Sequence, residues 1–271
     1  MTKRTRFGLL VTALLVIAVG VAGVFAVRAA LKANPLGATG CRVDRYDLDT
    51  SQAAVASTMV GVVTRRALPE RAAVLVLAAA LQESKLRNLA LGEGDRDSVG
   101  VLQQRPSQGW GSETQLSDLR FATGAFLDAL LEKVPNWQRE DLAAAIQAVQ
   151  ISADGSAYAP HEAEAQALAH AFTGKLEAGI TCAFGKPAHV APVATVAAQL
   201  ERDLPVKVPV TTASIVRVPG AGWQTAAWFV ANADRLGIDK VAYSGRQWTR
   251  TKSWKNAAAP ATEVVATMYR T

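Results

Sequence analysis

The segment PERAAVLVLAAALQES, residues 69–84, constrains the fold of this chain more than any other. Pro69 suits the first turn of a helix, and apolar residues then occupy nearly every position up to Leu81. A helix that is apolar all round is buried on all sides, so we expect other helices to surround it. Glu83 lies at the end of this helix, where a carboxylate costs free energy unless it is paired, solvated in a cleft or used in chemistry.

Amphipathic helices are predicted on both sides of this central helix. Their patterns cover residues 47–68, 114–134, 139–152 and 156–174. Asp49, Thr50 and Ser51 are the candidate N-caps of the first of them. Residues 87–112 are rich in Gly, Asp, Ser and Pro, which predicts a loop with a short β-hairpin. The fold class we expect is a mainly α domain with this hairpin as an insert.

Two cysteines bracket the predicted helical region, and they set its limits at about residues 41–183. Outside the cytoplasm an even pair favours a disulfide between Cys41 and Cys182, and two buried thiols are the alternative. Closing so long a loop removes unfolded-chain entropy worth about 4–5 kcal/mol in the loop-closure model. The sequence contains no Cys-x-x-Cys and no paired-His spacing, so it predicts no metal site, and it implies no cofactor.

The N-terminal run GLLVTALLVIAVGVAGVFAV, residues 8–27, carries no charge and is long enough to cross a bilayer as a helix. Basic residues precede it, so the positive-inside rule places the N-terminus in the cytoplasm and the bulk of the chain outside. We interpret residues 1–30 as a cytoplasmic stub and a single transmembrane signal anchor in the cell membrane. A cleaved signal peptide is the competing interpretation, although its apolar core would be shorter. The sequence ATGC, residues 38–41, lies too far from the run for a lipoprotein signal.

The charge distribution argues against a nucleic-acid partner. Five positive residues and no acids precede Cys41: Lys3, Arg4, Arg6, Arg28 and Lys32. Subtracting them from the formal net charge of +6 leaves only +1 for the rest of the chain. The high isoelectric point therefore reflects the flanks of the apolar run rather than a nucleic-acid surface.

The chain changes composition after the helical region. Residues 184–221 are rich in Ala, Val, Pro and Thr, which predicts a semi-extended linker. Residues 222–271 have the pattern helix, strand, hairpin, strand, which predicts a small α+β (α/β) domain. We expect the four tryptophans of this segment to be core residues, and contact with a ligand is the second interpretation: Trp223, Trp228, Trp248 and Trp254.

The sequence QESKLRNLALGEGDRDSVGVLQQRPSQGWG contains the strongest motif. Its "ES-x-L" followed by "S-x-G-x-x-Q-Q" resembles the lysozyme-like family of the lytic transglycosylase type, over residues 45–175. The resemblance implies a lysozyme-like fold and cleavage of peptidoglycan glycan strands. It makes Glu83 the general acid/base, with Ser84 orienting it. It also implies further cleft and substrate contacts, from Gly100, Gln103, Gln104 and Tyr158.

The chemistry of glycosidic cleavage favours Glu83 independently. A general acid must be protonated near neutral pH, and desolvation at the end of an apolar helix raises the pKa of a Glu. A hydrolase needs a second carboxylate, for which Glu93, Asp95 and Asp97 are candidates, although acids in such turns are more often turn formers. A transglycosylase needs none, because the sugar's own hydroxyl attacks. Trp110 is either a sugar-stacking residue or a core lid.

The C-terminal segment AAWFVANADRLGIDKVAYSGRQWTRTKSWK resembles the small α/β domains appended to bacterial cell-wall hydrolases, akin to zinc peptidases. Those relatives end in a metal-binding His strand, whereas the histidines of this chain, His161, His170 and His189, all precede the segment. The resemblance therefore implies a binding or architectural role. We expect a membrane-anchored enzyme whose partners are peptidoglycan glycan strands, with wall-synthesis proteins as unidentified further partners. The alternative is a non-catalytic cell-wall-binding or scaffold protein.

Overall fold

A computed structural model describes residues 39–151 and 155–270. The predicted signal anchor at residues 8–27 lies outside these ranges. Within them, none of the helices combines the length and the apolar character needed to cross a membrane.

Nine α-helices are present in the described residues: α1 (Thr50–Arg65), α2 (Glu70–Ser84), α3 (Glu113–Leu116), α4 (Leu119–Lys133), α5 (Leu142–Gln150), α6 (Glu162–Thr173), α7 (Val193–Asp203), α8 (Trp223–Ala231) and α9 (Ala233–Leu236). Two 3-10 helices span Pro106–Gln108 and Gly155–His161. The strands are β1 (Gly40–Val43), β2 (Tyr46–Leu48), β3 (Thr181–Ala183), β4 (Val210–Thr211), β5 (Ile215–Pro219), β6 (Ile238–Tyr243), β7 (Arg246–Thr249), β8 (Lys252–Asn256) and β9 (Glu263–Met268).

Helix α2 is the centre of the helical part, as its sequence predicts. Every residue from Ala72 to Leu81 is buried, and the helix packs against α1, α5, α6 and the second 3-10 helix. Helix α1 begins with a capping box, in which the Asp49 carboxylate accepts from the Gln52 N–H and the Gln52 side chain accepts from the Asp49 N–H. The burial of α2 on every side is therefore confirmed.

A small three-stranded antiparallel sheet, in the order β2-β1-β3, joins the two ends of this helical part. Cys41 on β1 is the register partner of Cys182 on β3, and the two sulfur atoms form a disulfide. The predicted pairing of the cysteines is confirmed.

The second sheet has six antiparallel strands in the order β4-β5-β9-β6-β7-β8. Side chains alternate across it, so that residues such as Val216, Val264, Val241 and Trp248 are buried on one face. Helix α8 packs on that face. The other face presents polar residues to solvent, as is common for antiparallel sheets.

Indole groups attach this sheet to the helical part. The Trp248 Nε1–H donates to the carbonyl oxygen of Cys182 at 2.9 Å, and the Trp254 Nε1–H donates to that of Ile180 at 2.8 Å. Trp228 and Trp248 are fully buried, and Trp223 and Trp254 pack partly buried against the core. Burying an indole requires a partner for its N–H, and here the partners lie across the junction.

The expected fold class is wrong. Instead of a mainly α lysozyme-like domain followed by a separate small α+β domain, residues 39–270 contain two antiparallel sheets, and the larger one packs on the helices. One hydrophobic core runs from Cys41 to Met268. The order helix, strand, hairpin, strand is observed over residues 222–268, but β4 and β5, from the predicted linker, complete the sheet.

The predicted hairpin insert is also absent as a pair of strands. Two isolated bridges replace it, joining Leu89 to Gly100 and Val99 to Gln104. Gly100 and Gln103 have positive φ values of 79° and 47°, which turn the backbone out of the extended conformation and stop the ladder from growing.

Candidate functional site

The C-terminus of α2 ends in an unusual backbone turn directly after Glu83. Lys85 and Leu86 both have positive φ, at 55° and 58°, although neither is glycine. The Leu86 side chain is fully buried, and its N–H donates to the carbonyl oxygen of Ala80, which holds the turn. Left-handed conformations of such residues cost free energy and occur at functional sites, where surrounding packing maintains them.

The Glu83 carboxyl group is half-buried, and the hydrogen bonds found for it come from neutral donors. The Tyr158 hydroxyl donates to Oε1 at 2.7 Å, and the Gln150 side chain makes a second hydrogen bond. Burial raises the pKa of Glu83 above its ordinary value, and the two hydrogen bonds oppose this rise only in part. The carboxyl group is therefore biased toward its protonated form.

Tyr158 reaches Glu83 because a 3-10 helix docks on the end of α2. Tyr158 is only 1% exposed, so its hydroxyl contacts the Glu83 carboxyl group from the protein interior and not from the solvent. Three residues later, His161 Nε2 hydrogen-bonds the Gln82 Oε1 at 2.9 Å. Burial lowers the pKa of His161, which favours its neutral form. Gln82 and Glu83, two successive residues of α2, therefore both hydrogen-bond side chains of the Gly155–His161 helix.

A cleft of about 700 Å³ lies next to Gln150, a neighbour of Glu83, and Glu83 itself is not among the residues that line it. Its lining residues are Gln108, Gly109, Trp110, Ala125, Asp128, Ala129, Glu132, Lys133, Val149, Gln150 and Ile151. Gln150 belongs to the lining, hydrogen-bonds Glu83, and donates from Nε2 to the carbonyl oxygen of Leu102 at 2.9 Å. One side chain therefore connects the carboxyl group to the cleft.

Trp110 lies in the wall of this cleft and is half-buried. The Lys133 ammonium sits 5.5 Å from the centre of its ring, in a cation–π contact. Ile151 forms part of the lining, is 76% exposed, and has a φ of 54°. A β-branched residue in this conformation is a backbone outlier, and here it adds exposed apolar surface to the cleft.

Ser84 is buried and fastens the following loop to α2. Its Oγ donates to the carbonyl oxygen of Val101 at 2.7 Å, and it accepts from the Arg87 N–H at 3.1 Å. The structure thus gives Ser84 contacts that hold the segment carrying Gly100, Gln103 and Gln104.

Gly100, Gln103 and Gln104 shape that loop. A Cβ at Gly100 would lie 2.3 Å from the carbonyl oxygen of Leu116, so only glycine fits there. The Gln103 Nε2 donates to the Gly100 carbonyl oxygen at 2.9 Å. Gln104 is buried and donates to the carbonyl oxygen of Ala122 on α4 at 3.3 Å. These contacts dock the loop rather than line the cleft described above.

The candidate second carboxylates lie in the same loop. Asp97 accepts from the Ser107 N–H at 2.8 Å and from Arg105 Nε at 2.6 Å, and these contacts hold its pKa well below the ordinary range. Asp97 is thereby ionised and stabilises the turn at Pro106–Gln108. Asp95 is exposed and lies 3.7 Å from Arg96.

Sequence reasoning missed Gln150 and Lys133, which the tertiary structure brings to the cleft. A signal for the first was present, because Gln147 and Gln150 lie three residues apart on the otherwise apolar helix α5 and so share one face. No sequence pattern indicated that Lys133 belongs to a site, because a lysine in the last turn of a helix is common.

Within the described residues, no group of three or more His, Cys, Asp or Glu side chains could hold a metal ion. Comparison of the chain with known proteins found no family model that matches it and no significant match among curated proteins.

Proposed function

We propose that this protein cleaves the glycan strands of peptidoglycan outside the cytoplasm, with Glu83 as the general acid. The observation that carries the proposal is the Glu83 carboxyl group, whose pKa burial raises and whose neighbours Tyr158 and Gln150 are neutral. The proposal rests on this site and on its motif, and it does not require the lysozyme-like fold class.

Glycosidic cleavage needs an acid that is protonated near neutral pH beside an oxocarbenium-like transition state. Burial raises the pKa of Glu83 and so acts toward the first requirement, and the negative pole of the α2 C-terminus acts in the same direction. Its proton passes to the oxygen of the leaving sugar, and the Tyr158 hydroxyl stabilises the carboxylate that remains. Gln150 aligns the carboxyl group with the cleft.

The second step of the reaction is better described by intramolecular attack than by hydrolysis. A second carboxylate would have to approach the sugar or activate a water molecule. Asp97 is committed to Arg105 and to the Ser107 backbone, where it stabilises a turn. We therefore favour the lytic transglycosylase route, in which a hydroxyl oxygen of the sugar bonds to the anomeric carbon as the bond to the leaving sugar breaks. The Glu83 carboxylate takes up the proton of that hydroxyl group and is thereby returned to its starting form.

The cleft suits a carbohydrate chain in composition. Trp110 and Ile151 provide apolar surface, and Asp128, Glu132, Lys133 and Gln150 provide polar contacts. Sugar-binding clefts combine surfaces of these two kinds. The Cys41–Cys182 disulfide and the apolar run at residues 8–27 support a protein anchored in the cell membrane, with its bulk outside the cytoplasm.

The test is to incubate the purified full-length protein with peptidoglycan sacculi and to identify the released fragments by mass spectrometry. We expect anhydro-muramyl ends, and we expect Glu83→Gln to lower the rate by about 10²–10⁴-fold, the range for loss of general acid catalysis. Gln has the same shape and keeps the contact with Tyr158, so folding is retained.

Glu140→Gln is the matched control, since Glu140 is an exposed carboxylate that is not among the residues lining the cleft. Its rate should stay within about threefold of the wild-type rate. Reducing muramyl ends would replace the transglycosylase by a hydrolase. Sedimentation with sacculi without any fragments would contradict the enzyme and leave the wall-binding alternative.

A further inference from the structure

A second pocket, of about 450 Å³, lies on the solvent face of the six-stranded sheet, where β6, β7 and β8 are neighbours. Its lining residues are Asp239, Lys240, Gln247, Thr249, Thr251, Lys252, Ser253, Lys255, Asn256 and Ala257. We call it the basic sheet pocket. Three lysines and one acid make its lining positive by two charges, and hydroxyl and amide side chains supply most of the rest.

The strand register places these side chains in two rows on one face. Lys240 on β6 is the partner of Thr249 on β7, and Thr249 is the partner of Lys252 on β8. Gln247 and Lys255 form the next row. Partners on adjacent strands lie close together, so both rows cross the pocket. Lys240 and Lys252 are two strands apart, or about 10 Å between their backbones.

Protection of a sheet edge does not account for this arrangement. Lysine on an edge strand prevents pairing with another chain, which explains Lys252 and Lys255 on β8. Lys240, however, lies on β6, which pairs with β9 on one side and with β7 on the other. The ladder is irregular at Lys240 and again between Gln247 and Thr249. Such irregularities redirect side chains next to binding sites.

We propose that the basic sheet pocket binds a phosphodiester-linked anionic polymer of the cell envelope. Lysine ammonium groups act as point charges and bind phosphate readily. Charges spread over about 10 Å suit a repeating anion better than a single one. The hydroxyl and amide groups of Thr249, Ser253 and Asn256 supply uncharged donors beside the lysines.

Two features of the molecule favour this polymer over a nucleic acid. The described residues that line the pocket include no aromatic side chain, and single-stranded nucleic acids are bound by stacking their bases on aromatic rings. The sheet also packs against the strand that carries the Cys41–Cys182 disulfide, which belongs to an oxidising compartment rather than the cytosol. The pocket is independent of Glu83, so it would retain the protein on the wall whether or not the cleft is catalytic.

The experiment measures binding of the purified full-length protein to fluorescently labelled poly(glycerol phosphate) by anisotropy at several salt concentrations. The triple variant Lys240→Gln, Lys252→Gln, Lys255→Gln should bind at least about tenfold more weakly at low salt. Its slope of log affinity against log salt should be smaller in magnitude by about 2, the change expected for three lost phosphate contacts.

The matched control carries the same change of charge at exposed lysines elsewhere: Lys85→Gln, Lys186→Gln and Lys207→Gln. It should bind within about twofold of the wild type. Lys240→Gln alone, which tests the central strand with the smallest disturbance, should weaken binding measurably. Equal losses in the two triple variants would overturn the proposal. So would equal or tighter binding of polyglutamate or of a single-stranded oligodeoxynucleotide of the same charge, or a failure to bind poly(glycerol phosphate).

Discussion

Two carboxylates, Glu83 and Asp203, lie at the ends of helices in this molecule, and they differ in what surrounds them. Glu83 meets the hydroxyl of Tyr158 and the amide of Gln150, and Gln150 in turn lines an open cleft. Asp203 is completely buried and meets a guanidinium group, Arg120, whose Nε donates to Oδ1 at 2.8 Å. Among the described residues, the hydrogen bonds to Glu83 come from neutral groups, whereas Asp203 is paired with a cation.

The surroundings of Asp203 belong to three different helices. The Trp228 Nε1–H on α8 donates to Oδ2 at 2.7 Å, and Arg120 reaches it from α4. Helix α1 approaches so closely that a Cβ at Gly61 would lie 2.6 Å from the Asp203 carbonyl oxygen. The Arg65 side chain donates to the carbonyl oxygens at the end of α7, at 2.8 Å to Glu201. Asp203 therefore joins the helical part to the sheet.

The contrast separates a structural carboxylate from a candidate catalytic one. An acid that is paired with a cation and held by hydrogen-bond donors is part of the packing. Burial raises the pKa of Glu83, and its neutral hydrogen-bond donors oppose that rise only in part. Asp97 is of the first kind, which is why we assign it to the loop.

The largest expected effect on stability is at Asp203. Asp203→Asn removes the charge that pairs Arg120 and leaves the guanidinium group without its partner. The free energy of unfolding should fall by about 3 kcal/mol. Chemical denaturation measures it, with Asp128→Asn as the control, since that acid forms an exposed pair with Arg66 and should cost less than about 1 kcal/mol. Equal losses would show that Asp203 does not join the two parts.

The Cys41–Cys182 disulfide should come next. It joins residues 141 positions apart, and its reduction should lower the free energy of unfolding by about 2–4 kcal/mol. This is the typical loss for a disulfide, and it is smaller than the value of about 4–5 kcal/mol from loop-closure entropy alone. Because Trp248 donates to the Cys182 carbonyl oxygen, the loss should appear first in the fluorescence of the tryptophans at the sheet. The pH profile of cleavage should remain the same while the protein is folded. A shifted profile would mean that the disulfide also supports the Glu83 site.

Glu83→Gln should stabilise the protein, in contrast to Asp203→Asn. The pKa of Glu83 is raised in the folded protein, so its contribution to stability is present below its ordinary pKa of 4.5 and is lost as pH rises through the folded value. The variant should therefore melt higher than the wild type at pH 7 and equally at pH 4. Each kcal/mol gained corresponds to about 2–4 °C. Calorimetry at both pH values checks the sign, and a lower melting temperature at pH 7 would contradict it.

The smallest effect is expected for Tyr158→Phe. The Tyr158 hydroxyl stabilises the ionised Glu83, so its removal raises the pKa of that group further. An acid that must be protonated then works up to higher pH, and the alkaline limb of the pH–rate profile should move upward. Gln166→Leu, on the neighbouring helix α6, is the control, and it should leave the limb in place. A downward shift would mean that Tyr158 does not act through the Glu83 carboxylate.

The sequence was most informative where a local pattern has one physical solution. The apolar segment at residues 69–84 predicted a buried central helix, and the even pair of cysteines at the limits of the helical part favoured a disulfide over two buried thiols. The position of Glu83 at the end of that helix followed from the same pattern. Each of these features depends on hydrophobicity and spacing, which are visible along the chain.

Long-range contacts decided the remainder. Nothing local in Arg120, Asp203 and Trp228 shows that they meet, and this meeting binds the C-terminal sheet to the helices instead of leaving it separate. Gln150 and Lys133 likewise reach the cleft only because α4 and α5 pack side by side. Sequence patterns report which face of an element is apolar, whereas the partner of that face is chosen by packing over the whole molecule. The chain alone determined the candidate acid, and the tertiary structure decided its neighbours.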